Sequence, residues 1–159
     1  MDIKNRFHTP ESWLWVRAEH VALVGVLVVL LILHFPEVHW LRFVVAFTAI
    51  DLLGYLPGAL AYRRGGGRKI APLYHHMYNL THSYVIGGLV VGLWALAGDG
   101  FEWAMLAVPI HLSGDRGIFG NIYKPASLPF EPIAGEQPNP SLALGACPPA
   151  VQTQWRETP

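Results

Sequence analysis

Charge is what this sequence has least of. Only 14% of its 159 residues are Asp, Glu, Lys or Arg, whereas 52% are hydrophobic and the mean hydropathy is +0.32. Typical soluble domains carry about 25% charged residues, so an ordinary soluble domain is excluded. Basic excess is missing as well: 11 basic residues balance 11 acidic ones, and no clustered positive surface is on offer to nucleic acid. The single cysteine, Cys147, rules out a disulfide framework within the chain and any CxxC metal or redox motif.

What is present is length without charge. Residues 70–97 form a run of 28 with no Asp, Glu, Lys or Arg, well beyond the roughly 18 to 20 that mark a membrane span. Four stretches read as spans, at residues 12–35, 41–62, 70–97 and 101–122. The expected fold class is all-α: a polytopic membrane protein with a four-transmembrane-helix bundle in residues 1–124 and a proline-rich tail in 125–159. Thr9 and Pro10 supply an N-cap and a first-turn proline for the first span, with Trp13 and Trp15 at the interface. A cleaved signal peptide is the competing reading, because Lys4, Arg6 and Arg17 precede an apolar run. That run ends in His34-Phe35-Pro36-Glu37, without a small-residue cleavage site. The fourth span has only 12 uncharged residues, 103–114, and reaches crossing length by including Asp115 and Arg116.

Loop charge sets the orientation. Lys4, Arg6 and Arg17 precede the first span, Arg63, Arg64, Arg68 and Lys69 fill the loop between the second and third, and Arg116, Lys124 and Arg156 lie at or after the end of the fourth. The other two connections offer only Arg42. The positive-inside rule then predicts a multi-pass protein of the inner (plasma) membrane with both termini cytoplasmic. Eight of the 13 prolines fall in residues 125–159; that tail is either disordered or wraps a partner, and composition leaves both open. There is no internal repeat.

Ionisable groups in hydrocarbon cost about 2.5 to 3.5 kcal/mol each at a helix centre, so each needs a reason. Asp51 lies mid-span in the second stretch. In the third, His75, Tyr78, Asn79 and His82 share a helical face at about 100° per residue, with His76 and Ser83 turned away. In the fourth, His111 and Asp115 are an i, i+4 pair. Counted from the cytoplasmic ends, Asp51, His82 and His111 all lie roughly 16 to 18 Å deep, with Asp115 one turn closer, near Asn79. Glu19 is a further acid toward the same side. Gly54/Gly58 and Gly88/Gly92 form GxxxG patterns that permit close helix approach. Pro57 and Pro109 are placed to kink their helices near Asp51 and His111, which favours a cavity.

Two histidines and two acids at mid-depth have the ligand types of a divalent site for Zn, Fe or Mn. His82, His111 and Asp115 are the candidate metal ligands. Asp51 is a fourth ligand or general base, Arg116 a holder for an anionic head group, and Glu19, Tyr55, His75 and Asn79 are supporting residues. Against this stands a purely structural reading: His82 and His111 as interhelical hydrogen-bonding partners of Asp51 and Asp115, with Asp115 and Arg116 an interfacial ion pair.

The order of these features, Arg17-Ala18-Glu19, Asp51-Leu52-Leu53-Gly54-Tyr55, Tyr78-Asn79-Leu80-Thr81-His82-Ser83-Tyr84, and His111-Leu112-Ser113-Gly114-Asp115-Arg116 followed by Gly117, Gly120 and Lys124, resembles a domain-of-unknown-function family of small bacterial four-helix integral membrane proteins. The resemblance covers about residues 13–130. It implies four spans and a shared polar set, here Glu19, Asp51, Asn79, His82, His111, Asp115 and Arg116, and no established activity. The loop 63–69, the doubled His75-His76 and the long tail depart from it.

Three functions compete. One is a metal-dependent membrane enzyme, hydrolase-like, acting on a lipid or other apolar substrate. A second is a small accessory subunit of a larger membrane complex, or a homo-oligomer, with membrane lipids as its surroundings and no catalysis of its own. The third is a haem or quinone redox module with His82 and His111 as axial ligands, against which the nearby acids argue.

Overall fold

The computed structural model describes residues 10–131, and every regular element among them is helical. Helices α1 (Pro10–Leu33), α2 (Trp40–Arg64), α3 (Pro72–Thr81), α4 (Tyr84–Ala97) and α5 (Ala107–Gly114) follow in order. Short 3-10 turns occupy Phe35–Glu37 and Trp103–Leu106, and a π-helical turn, Asp115–Phe119, extends α5.

Both α1 and α2 are long and apolar enough to cross a membrane. Pro10 and Glu11 open α1, the one with φ already helical and the other complementing the helix dipole. Its surface is apolar on several sides, with Leu14, Val21, Val26, Val29 and Ile32 exposed, as a helix bathed in hydrocarbon requires.

Residues 70–97, expected as one continuous span, are instead the pair α3 and α4, bent by 54°. Three consecutive polar residues cause the break. The Thr81 hydroxyl donates back to the Met77 and Tyr78 carbonyls, both at 3.1 Å, a local bond that bends helices. Ser83 turns extended (φ −87°, ψ 131°) and caps α4, its hydroxyl accepting from the Val85 N–H at 3.2 Å. Together, the pair is apolar enough to count as a third span.

The segment expected as a fourth helix, 101–122, is likewise not one helix. Pro109 sits in the first turn of α5, where its missing N–H costs nothing, so it starts this helix rather than kinking a longer one. At the far end Gly120, at φ 76°, reverses the chain and the Asn121 N–H returns to the Asp115 carbonyl at 2.8 Å. This segment holds the most buried part of the fold, with Ala104–Val108 and His111–Ser113 all shielded. α1, α2 and α4 pack around α5, while α3 packs on α2.

Small residues set the close approaches. A Cβ on Gly54 would collide with the Thr81 hydroxyl, one on Gly58 with the Phe130 ring, and one on Gly117 would lie 2.8 Å from the Val21 nitrogen of α1. Among the described residues the expected Gly88/Gly92 contact does not form, since nothing lies within 4 Å of a Cβ built at either. Gly87 is the close-packed glycine of α4, against Val108 and Leu112.

After Gly120 the chain folds back over α2 and α3 as far as Glu131. Phe130 is only 1% exposed and meets His75 and Tyr78 edge-on at ring separations of 5.3 and 6.1 Å. Asn79 grips Lys124 twice, its Nδ2 donating to the Lys124 carbonyl (3.1 Å) and its Oδ1 accepting from the Lys124 N–H (2.7 Å). The Lys124 ammonium donates to the Phe130 carbonyl at 2.7 Å and lies over the Tyr78 and Tyr55 rings; burial pulls its pKa below the usual 10.5. Residues 125–131, assigned by composition to the tail, are thus part of the folded unit. The rest of that tail, with Cys147 and Arg156, lies outside the described residues, as do Lys4 and Arg6.

At the opposite end of the bundle, Glu37 accepts from Trp103 Nε1 at 2.9 Å and pairs with His34 at 3.2 Å, and His34 stacks on Trp103 at 3.6 Å. Arg42 and Glu102 form a salt bridge at 2.9 Å nearby. These links tie the first loop to the start of the α5 segment. The His34 and Trp103 hydrogen bonds hold Glu37 below the ordinary 4.5.

Two measurements test this fold. Phe130→Ala leaves a cavity against Gly58 and is expected to cost about 3 to 5 kcal/mol, read as a lowered melting temperature in detergent. Because the Glu37 pKa is depressed by folding, its contribution is full above the ordinary value and lost as pH falls through the folded one. Glu37→Gln should therefore flatten the acid limb of the melting-temperature profile below pH 4.5.

Candidate metal centre

The break between α3 and α4 carries a histidine into the middle of the bundle. His82 caps α3, and its Nδ1 lies 2.9 Å from the Tyr78 carbonyl. A carbonyl only accepts, so Nδ1 bears the proton, and in the neutral ring Nε2 keeps its lone pair for a ligand. That Nε2 lies 3.3 Å from Asp51 Oδ1 and 3.2 Å from Asp115 Oδ2. His111, on α5 one turn before Asp115, brings its own Nε2 to 3.6 and 3.8 Å from the same two oxygens. The Phe47 ring meets the His111 imidazole at 4.7 Å.

Ligand atoms of Asp51, His82 and His111 all lie within 4.8 Å of one another, close enough to bind a metal ion. The directions of the bonds support the fit. Neither Nε2 has a hydrogen-bond partner in good alignment, although both are buried and both have carboxylates nearby. Atoms that share one tetrahedral ion at about 2.0 to 2.2 Å stand roughly 3.4 Å apart, aimed at the ion rather than at each other. An imidazolium–carboxylate hydrogen bond would instead lie along the N–H direction.

The depth count thus brings Asp51, His82 and His111 together, and Asp115 joins them through its place one turn after His111. The other sequence candidates stand elsewhere. Arg116 is buried, donates from its guanidinium to the His82 carbonyl at 3.0 Å and lies 4.0 Å over the Tyr84 ring. It satisfies a carbonyl that the helix break leaves free, and among the described residues no carboxylate forms an ion pair with it. His75 donates from Nε2 to the Leu128 carbonyl at 3.2 Å, Tyr55 donates to Glu131 at 2.7 Å, and Asn79 holds Lys124. All three secure the returning segment, not the centre. Glu19 is exposed on α1, outside the cluster, whereas its neighbour Arg17 donates to the Gly117 and Ile118 carbonyls.

Three contributors were not singled out by the sequence. Tyr78 stacks on His82 at 3.9 Å, an i, i+4 relation that its shared face with His82 already signalled. Tyr84 bonds Ser113 at 2.7 Å beneath Arg116, and Phe47 follows the same i, i+4 logic toward Asp51. Grooves of about 560 Å³ along the α3–α4 bend (with His76, Leu80 and Ile86) and about 200 Å³ between α4 and α5 (with Gly87 and Leu112) both bypass the cluster.

Compared with family models, curated proteins and solved structures, the chain matches none. The resemblance described above therefore rests on its motifs alone.

Arg116→Met deletes the donor to the His82 carbonyl while keeping most of the side-chain volume. The expected loss is about 2 kcal/mol, the scale of a charge-assisted hydrogen bond, measured as thermal stability in detergent.

Proposed function

We propose that this protein is a multi-pass inner-membrane enzyme in which Asp51, His82 and His111 hold one divalent ion, Zn, Fe or Mn, and that it hydrolyses a lipid or other apolar substrate. The observation that carries the reading is the convergence of two buried, misaligned imidazole nitrogens on a point flanked by carboxylates. The sequence offers Asp115 as a ligand and Asp51 as a fourth ligand or general base; the three-residue group favours Asp51 as the ligand and leaves Asp115 as the base. Three protein ligands and an open position are the usual catalytic arrangement. A divalent ion there would polarise the carbonyl to be cleaved.

Asp115 then serves as the base. Water adds to the acyl carbon, its proton passes to the Asp115 carboxylate, and the same proton goes to the departing alcohol or amine as the acyl bond breaks. The products are an acid and an alcohol or amine, with no oxidant or reductant consumed. Four crossings with both termini cytoplasmic, supported by the loop charges, would place this centre at mid-depth. The motif order supports membership of the domain-of-unknown-function family named above.

A haem at His82 and His111 is disfavoured, because carboxylate oxygens at 3.2 to 3.8 Å from both nitrogens stand where a porphyrin would have to pass. The accessory-subunit reading draws on Asp51, whose half-exposed side chain is a group that a partner in a larger complex would cover.

Metal analysis with a visible spectrum of the full chain in mild detergent decides among these. Wild type should carry about one Zn, Fe or Mn per chain, and His82→Ala, His111→Ala and Asp51→Asn should lose most of it. Asp115→Asn should retain it. A wild-type preparation that holds no ion and takes none up on reconstitution removes the reading, and a Soret band would install the haem in its place.

A further inference from the structure

Access to the centre is unequal on its different sides. Toward the cytoplasmic end, Tyr78 stacks on His82 at 3.9 Å, and Phe130 and the Lys124 ammonium close over Tyr78 in turn. Toward the other end, Phe47 covers His111 and Phe43 stacks on Phe47. Aromatic rings therefore lie over the cluster at both ends. Laterally the picture reverses: the His82, His111 and Asp115 side chains are 2, 4 and 18% exposed, whereas Asp51 is 52% exposed.

That exposure lies deep in the span. Asp51 is 11 residues from the start of α2 and 13 from its end, roughly 17 and 20 Å of rise. Its neighbours on the open side, Val44, Thr48 and Leu52, are exposed apolar or small residues. The 54° bend contributes, because it carries α4 off the line of α3, which packs on α2, and onto α5.

We propose that the centre is reached from the bilayer hydrocarbon through an opening over Asp51, and that it takes an amphiphile bearing an ester or amide. The ligand class rests on the metal-centre reading; the route does not.

Two measurements on the full chain test this. For the route, nitroxides are placed at Asp51→Cys, Leu52→Cys and Arg68→Cys in a Cys147→Ser background in lipid vesicles, and their collision rates with oxygen and a nickel chelate are compared. The oxygen-to-nickel ratio at position 51 should match that at 52 within about twofold and exceed that at 68 by about tenfold, because water is absent from hydrocarbon. A nickel-dominated position 51 would show an aqueous route, and one closed to both reagents would show a covering partner or second copy; either overturns the proposal. For the ligand, a diazirine-bearing diacylglycerol should label the peptide around Asp51 in the wild type about tenfold more than the peptide around Arg68. Equal labelling of the two peptides, or none of either, overturns the proposal. Metal content measured on the same wild-type sample separates failure of the metal centre from failure of the route.

Discussion

A helix that breaks inside a packed bundle must satisfy its freed backbone groups from within the protein, and the rest of this structure is organised around one such break. At Thr81-His82-Ser83 the local side chains take up part of the requirement, Ser83 by capping α4 and Thr81 by bonding backward. The His82 carbonyl remains, and Arg116 supplies its donor. Because Arg116 follows Asp115 directly, the residue that satisfies the break also fixes the acid facing the His82 imidazole. Backbone hydrogen bonding and the assembly of the polar cluster are the same constraint seen from two sides.

The cost of that arrangement explains the irregular fourth segment. A regular helix through 101–122 would present its residues at one pitch. The actual chain combines a 3-10 turn, eight α-helical residues and a π-helical turn, and changes of pitch of this kind re-aim side chains. Gly117 lets the wider turn come against the α1 backbone, and Arg17 caps its carbonyls. The deviation from helical regularity is concentrated where Asp115 and Arg116 must point to different partners.

Much of this was legible in the sequence, and the misses have physical reasons. The apolar runs of α1 and α2 predicted both helices closely, since a bilayer sets their length. The break in the third span was hidden because hydropathy averages over Thr81, His82 and Ser83, whose effect is on backbone bonding. Pro109 was read as a kink because the run before it looked helical; only the helix start at Ala107 makes it a first-turn residue. Asp51, His82 and His111 emerged from a depth count along the spans, and Asp115 from its place one turn after His111. Asn79, Tyr55 and His75 shared the right face but serve the segment after Gly120, whose proline-rich composition has no period to read.

Phe130 has a consequence for how the bundle is made. The ring that fills the space over Gly58 and backs Tyr78 belongs to the last described stretch of chain, whereas the face it completes, on α2 and α3, leaves the ribosome some fifty or more residues earlier. All the long helices can be inserted before that face has its occupant. Closure of this side of the cluster is therefore a late event in biogenesis, and until then the imidazole of His82 stands without the wall that later covers it.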